Sequence, residues 1–324
     1  MLCLDNLRER FLQGNMRALA QSISLVEDNP ELGAKLFSLL GQPQGNPRII
    51  GVTGPPGAGK STLTAKLALA LLARGERVAL LLIDPSSPFS GGAILGDRIR
   101  MHELSGLSDV YIRSLSTRGS LGGLSAATAR VLRLLQHGNF STIILETVGT
   151  GQAETDVVMA VDAVVVVAVP GLGDDIQAMK AGIMEIADVF VVNKADRDGA
   201  DRTKLQIEAM LGMQEGRRVH PIQVLPTIAT TGYGVAELTQ ALDDHFAYVE
   251  QSGELARRRE KRWHKEFSAY VANILLGDFF SWANRQDIGI MANAEWGEIE
   301  VYGLAKKATA QYFTERMKRH VEED

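Results

Sequence analysis

One cysteine, Cys3, is all that the 324-residue chain contains. A single thiol can build neither an intrachain disulfide framework nor a thiolate metal cluster, and this usage fits a reducing compartment. The six histidines, at 102, 137, 220, 245, 264 and 320, are scattered, so the spaced Cys/His ligands of a metal-insertion protein are missing as well. Charge of one sign is scarce: a net charge of −5 and a pI near 5.8 give no general electrostatic reason to hold nucleic acid. Long apolar runs are also lacking. The longest, 163-AVVVVAV-169, is bounded by Asp162 and Pro170, is far too short to span a bilayer and reads as a buried strand. The opening MLCLDNLRERFLQG carries Asp5 and no uninterrupted apolar core of a secretory signal, so a cytoplasmic protein with no membrane partner is expected. No internal repeat or low-complexity tract is found.

What is present is an alternation of short apolar runs with amphipathic ones. Residues 5–41 place Leu7, Phe11, Leu19, Ile23, Leu36, Leu39 and Leu40 at helical spacing, and 42-QPQGNPR-48 reads as a linker. Strands are expected at 48–53, 78–83, 142–146, 163–169, 188–193 and 222–227, with helices at 60–73, 124–136, 175–187, 203–212 and 235–250. Most of these strands lack polar alternation, as parallel strands covered on both faces do. The pattern predicts a doubly wound α/β domain of about 200 residues. The expected division is a helical segment at 1–45, the α/β domain at 46–253 and a helical extension at 254–324. The extension puts Trp263, Phe267, Tyr270, Val271, Ile274 and Leu275 on one helical stripe. Such a stripe either packs on its own domain or belongs to an arm that meets another subunit.

The most specific motif is 54-GPPGAGKST-62, set between a predicted strand and a predicted helix. It matches the phosphate-binding loop G-x-x-x-x-G-K-[ST], and an ordinary Gly-rich turn is a poor alternative in that context. Gly54, Gly57, Ala58 and Gly59 would turn backbone N–H groups toward phosphate oxygens, with the helix N-terminus adding positive charge. Lys60 would reach the β- and γ-phosphates, and the Ser61 hydroxyl would ligate magnesium, with Thr62 alongside.

A second motif, 193-NKAD-196, ends a predicted strand. Asp196 can accept both the N1–H and the exocyclic amine of guanine, whereas adenine would leave the carboxylate unpaired, so GTP is favoured over ATP. Lys194 would lie along the base and Asn193 would tie its loop to the phosphate loop. The weaker 226-PTIATTGYGVAEL-238 aligns so that the backbone N–H of Ala229 would meet the guanine O6, with Ile228 where a serine is usual. Asp84 and Asp97, in 84-DPSSPFSGGAILGDRIRM-101, are candidate metal carboxylates of a switch loop or plain polar loop residues. In 146-ETVGTGQAETD-156, Glu146 stands where a Ras-like switch has an aspartate, and Thr150 stands where the glutamine after the glycine would be.

Taken together, 53-TGPPGAGKSTL-63, 84-DPSSPFSGGAILGD-97, 146-ETVGTGQAE-154, 170-PGLGDDIQAMKAGIME-185 and 193-NKAD-196 resemble the MeaB/ArgK family. These are GTPase chaperones of adenosylcobalamin-dependent acyl-CoA mutases, and the resemblance covers nearly the whole chain. It implies phosphate and magnesium contacts from Gly57 to Thr62, with Asp97 and Glu146 near the metal. It also implies a mobile loop at Gly171 to Lys180, with Asp174, Gln177 and Lys180 as polar members answering to nucleotide and mutase. Asp174 and Asp175 equally suit capping of a following helix. The family is a homodimer through its C-terminal helices, which favours the arm. An adenosyltransferase is a further candidate partner.

Departures from the family pattern are Ile228, Thr150 and Ala153, none in the phosphate loop. Without a glutamine after Gly149 the attacking water lacks an orienting amide, so slow intrinsic hydrolysis and acceleration by a partner are expected. Arg98, Arg100, Arg113 and Arg118 do not single out an arginine finger. Two other classes are weighed against the GTP-gated chaperone. One is a P-loop kinase linked to amino-acid transport, opposed by NKAD. The other is a nickel- or zinc-inserting metallochaperone GTPase, opposed by the scattered histidines and lone cysteine.

Overall fold

The computed structural model describes residues 3–43, 45–84, 101–104, 106–116, 126–147, 159–171, 183–213, 221–285 and 301–323. Seven parallel strands make one sheet: β1 (Arg48–Thr53), β2 (Val78–Asp84), β3 (Val110–Ser116), β4 (Thr142–Glu146), β5 (Ala163–Ala168), β6 (Val189–Asn193) and β7 (Gln223–Thr227). Their order is β3-β2-β4-β1-β5-β6-β7, so the chain leaves β1 first to one side and then to the other. The reversal opens a crevice at the carboxyl ends of the central strands, where ligands of open α/β sheets bind.

Helices cover both faces, as continuous apolar strands require. On one face, Ile49, Leu81, Ile143, Val164, Val166 and Phe190 share a core with α1 (Leu4–Leu12), α2 (Met16–Asp28), α3 (Pro30–Leu40), α5 (Ala126–His137) and α7 (Ala200–Gly212). On the other, Ile50, Val52, Leu80, Leu82, Ile144 and Val165 pack with α4 (Lys60–Ala73) and α8 (Val235–Gln251). Asn15 and Asn29 cap α2 and α3, accepting from the N–H groups of Ala18 and Leu32 at 3.0 Å. The short α6 (Ile183–Ile186) falls within the expected 175–187 helix, most of which lies outside the described residues.

Six strands are those anticipated from their apolar runs, within one residue at each end; β3 was not anticipated. It pairs only with β2, and Tyr111, Arg113 and Ser114 are half-buried on it, so this edge strand mixes polar and apolar residues. Asp243 on α8 accepts from both Arg48 at the start of β1 (2.6 Å) and Arg74 just beyond α4 (2.8 Å). Burial alone would raise its pKa, but these two arginines hold the carboxyl below its ordinary value.

Packing gathers the chain into two compact units, Met1–Glu260 and Lys261–Asp324. The first forty residues join the larger unit because Leu7, Phe11, Ile23 and Leu36 share the core beneath the sheet. The first turns of α9 (Glu254–Arg285) join it through charge. Asp162, just before β5, is 0% exposed and accepts from the Ile49 N–H (3.1 Å) and from Arg259 (2.6 Å to Nη2). Asp188, just before β6, repeats the device: it accepts from the Val164 N–H (2.9 Å) and takes both Nη1 and Nη2 of Arg258 at 2.9 Å. Each carboxylate thus closes an orphan strand N–H and neutralises an arginine of α9.

In the second unit, Phe279, Trp282 and Ala283 of α9 cluster with Tyr312 of α10 (Val301–Glu323), and the Trp282 indole donates to Glu315 at 2.8 Å. Among the described residues the predicted stripe is mostly uncovered: Trp263, Phe267, Val271, Ile274 and Leu275 are exposed and Tyr270 is half-buried. Among the described residues, no helix is long and apolar enough to cross a membrane.

Arg259→Ala leaves the Asp162 carboxylate buried without its cation, and should lower unfolding free energy by about 3 kcal/mol. Urea denaturation checks this, and a change under 1 kcal/mol would assign the anchoring of α9 to packing instead.

Candidate functional site

The site grows from the turn between β1 and α4. Gly54, Gly57 and Gly59 have φ of 141°, 74° and 87°, a region that disfavours side chains. Space also demands glycine at two of them: a Cβ on Gly54 would run into the Val167 carbonyl oxygen, and one on Gly59 into Nδ2 of Asn193. Gly59 precedes α4 with no side-chain cap, so the first N–H groups of that helix face the loop. Ala58 is fully buried and Thr62 half-buried on the first turn. Lys60 is 6% exposed, with its ammonium held by the carbonyl oxygens of Gly54 (2.7 Å) and Pro55 (3.0 Å).

Beside this loop, β4 ends at Glu146. The Ser61 hydroxyl donates to Glu146 Oε1 at 2.6 Å, with both side chains buried. Two hard oxygen donors therefore stand together at the mouth of the phosphate loop. Asp84 ends β2, beside β4 in the sheet, so its backbone lies on the same strand edge. The Asp84 side chain lies outside the described residues, as do Asp97, Asp174 and Lys180.

The third part is the loop after β6. Asn193 is 2% exposed and makes three bonds: its Nδ2 donates to the Ala58 carbonyl (2.8 Å), and its Oδ1 accepts from the Thr227 hydroxyl (3.1 Å) and the Ala229 N–H (3.0 Å). Lys194 follows at φ 58°, the one described non-glycine with positive φ, and its ammonium donates to the Gly57 carbonyl at 2.7 Å. Asp196 is exposed on this loop, where its carboxylate can meet an incoming group.

The Ala229 N–H donates to Asn193 Oδ1 at 3.0 Å and the residue is buried, so it braces the base loop. Arg113, one of the arginines considered as a finger, is bound to Ser24 (3.2 Å) and Glu27 (3.0 Å) of α2. Sequence reasoning passed over Thr227, which sits at the strand end of the same motif and whose hydroxyl was the available signal.

Chemically, the arrangement offers a left-handed glycine turn with a buried lysine, a hydroxyl–carboxylate pair for a hard cation, and an exposed carboxylate on a loop pinned to that turn. Loss of Asn193 should affect the whole assembly. Asn193→Ala removes three bonds, each worth about 1 kcal/mol, and should weaken nucleotide binding well over tenfold by calorimetry. Thr227→Val removes one and should weaken it several-fold. Equal effects from the two variants would contradict the central place of Asn193.

A family model described as methylmalonyl Co-A mutase-associated GTPase MeaB matches residues 19–284. A putative GTPase of Pyrococcus horikoshii is 45% identical over 275 residues, covering 84% of this chain and 87% of that protein. GTPase ArgK of Escherichia coli is 33% identical over 319 residues, covering 94% and 96%. The mitochondrial methylmalonic aciduria type A homolog of Mus musculus is 35% identical over 280 residues, covering 81% and 67%. Among solved structures, one described as an LAO/AO transport system kinase superposes with a TM-score of 0.69 at 25% identity, covering 97% of each chain.

Proposed function

The chain belongs to the MeaB family of GTPases and hydrolyses GTP, and from this we propose that it is a GTP-gated chaperone of an adenosylcobalamin-dependent acyl-CoA mutase. One observation carries the mutase reading: the match to the mutase-associated family extends from residue 19 to 284, a span that takes in both nucleotide loops and nearly all of α9. In this reading, hydrolysis times delivery of the cofactor to the mutase, or rejection of damaged cobalamin, and converts no metabolite.

The residues divide the work. Gly54 to Thr62 hold the phosphates through backbone N–H groups, and the Lys60 ammonium exchanges its loop carbonyls for β- and γ-phosphate oxygens. Asp196 selects guanine by accepting from N1–H and the exocyclic amine, with Lys194 along the base. Ser61 and Glu146 fit magnesium: two oxygen donors 2.6 Å apart leave room for phosphate and water, which that ion prefers to a full protein cage. Bound there, it would neutralise charge on the γ-phosphate oxygens. Asp84 and Asp97 are the other candidate carboxylates. Asp174 and Lys180, in the sequence that follows β5, are assigned to coupling with the mutase.

Thr150 follows Gly149 where a water-orienting glutamine would stand, so intrinsic turnover is slow and a partner accelerates it. The GTPase rate should therefore rise at least tenfold on adding the cognate mutase, and Lys180→Ala should lose most of that rise. No acceleration by the mutase would sink the chaperone reading while leaving GTP hydrolysis intact.

The exposed stripe on α9 is the proposed homodimer surface. It presents Trp263 and Phe267 stacked with ring centroids 5.3 Å apart, followed by Ile274 and Leu275. Burying such rings against a second copy removes apolar area from water. Light scattering should give a dimer at micromolar concentration, and charged substitutions at Phe267 and Ile274 should yield monomer. A monomeric native chain would refute the assignment.

A further inference from the structure

Two threonine hydroxyls meet inside the sheet at a place where an apolar pair would pack equally well. Thr53, the last residue of β1, is 0% exposed, and Thr147, directly after β4, is 1% exposed. The Thr147 hydroxyl donates to the Thr53 hydroxyl at 3.0 Å, and the Thr147 N–H donates to the Val52 carbonyl at 3.1 Å. Val166 lies opposite Thr53 on β5, so the neighbour across that ladder is apolar. Replacing both partners of a buried hydrogen bond by apolar groups of the same shape is nearly neutral for stability. A valine pair would serve the core, so what the hydroxyls add is direction.

That direction matters because of what each threonine adjoins. Thr53 precedes Gly54, where the phosphate loop begins, and Thr147 follows Glu146. Ladder pairing of Val52 with Glu146 aligns the strands, but a strand's last residue can still swing about its own backbone torsions. The hydroxyl bond joins the carboxyl ends of β1 and β4, while the bond from Ser61 to Glu146 joins β4 to the first turn of α4.

We propose that the Thr53–Thr147 bond is a positioning device for the divalent cation of the nucleotide site, holding the end of β4 so that the Glu146 carboxylate stays within reach of Ser61 Oγ. The proposal rests on the reading of Ser61 and Glu146 as cation-holding residues. Both threonines are positioning residues and act through Glu146.

The test is the dissociation constant of a fluorescent GDP analogue, measured with magnesium and with excess EDTA. The ratio of the two is the gain in affinity that the cation supplies. Thr53→Val and Thr147→Val should each cut that gain roughly tenfold, the loss typical when a group orienting a metal ligand is removed, with the EDTA value unchanged. Thr147→Ser keeps the hydroxyl and should restore the native gain. The double variant carries no unpaired hydroxyl, so it should fold even if a single one does not, and its loss should match that of a single change. Variants that keep the native gain overturn the proposal, as does an equal loss in EDTA, which would mark general loosening of the phosphate loop. A native protein with no cation gain would overturn the assignment of Ser61 and Glu146 to the cation, and the positioning role with it.

Discussion

The site depends on a single carboxamide. β5 stands between β1 and β6, so no ladder hydrogen bond connects the strand that launches the phosphate loop to the strand that launches the base loop. Asn193 makes that connection, donating to Ala58 on one side and accepting from Thr227 and Ala229 on the other. An amide side chain suits the task because it carries donor and acceptor on one planar group, and buried polar atoms must be paired to be tolerated. The demand passes outward. Nδ2 lies where a Cβ on Gly59 would stand, so the last glycine of the phosphate loop is glycine partly because Asn193 is behind it. Phosphate loop and base loop thereby form one rigid body, with Lys194 closing it a second time onto Gly57.

The opposite edge of the sheet is secured by full charges. Asp162 and Asp188 each take the N–H of the second residue of a neighbouring strand and an arginine from α9. A carboxylate buried at a strand start would be costly alone; paired bidentately with arginine and hydrogen-bonded to backbone, it has most of its lone pairs satisfied. The arrangement makes the opening turns of α9 part of the α/β unit, although in sequence they look like the start of something separate. Neutral amides would satisfy the strand N–H groups, but would not recruit two successive arginines of one helix.

How legible each feature was follows from the separation of its parts. The phosphate loop and the NKAD segment are contiguous, and their side chains act on what lies beside them, so spacing alone revealed them. The central strands were legible for a similar reason: burial on both faces leaves apolar runs such as 78-VALLLI-83, with little else to read. β3 escaped because an edge strand is half solvated and its pattern is mixed. The arginine clamps escaped because Arg258 and Asp188 lie 70 residues apart, and in sequence each shows only a charge. Asp162 was visible as polar punctuation before an apolar strand and Asp188 as the first residue of a predicted one, but nothing local showed that they face a helix from the far end of the chain. The bond from the Ala229 N–H to Asn193 escaped for the same reason, its two residues lying 36 apart in sequence.

Set beside each other, the two ends of β4 and β1 suggest why this switch carries a glutamate. The carboxylate at 146 reaches the Ser61 hydroxyl directly at 2.6 Å, from a strand end fixed by the Thr147 N–H on Val52. An aspartate, one methylene shorter, would leave that hydroxyl out of reach unless the strand advanced. The longer side chain gains reach and gains a rotatable bond, and extra rotamer freedom must be removed by the surroundings if geometry is to hold. Here Glu146 is buried and its strand end is tied to β1, so the freedom is removed by the sheet. A carboxylate fixed in this way is suited to holding a cation and poorly suited to orienting water, which needs a group free to follow the nucleophile. With Thr150 after Gly149, the water-orienting role falls to contacts made outside the phosphate loop. In the proposed cycle these are the contacts that a partner brings, and the proposed slow turnover of the isolated protein would follow from the fixed position of Glu146.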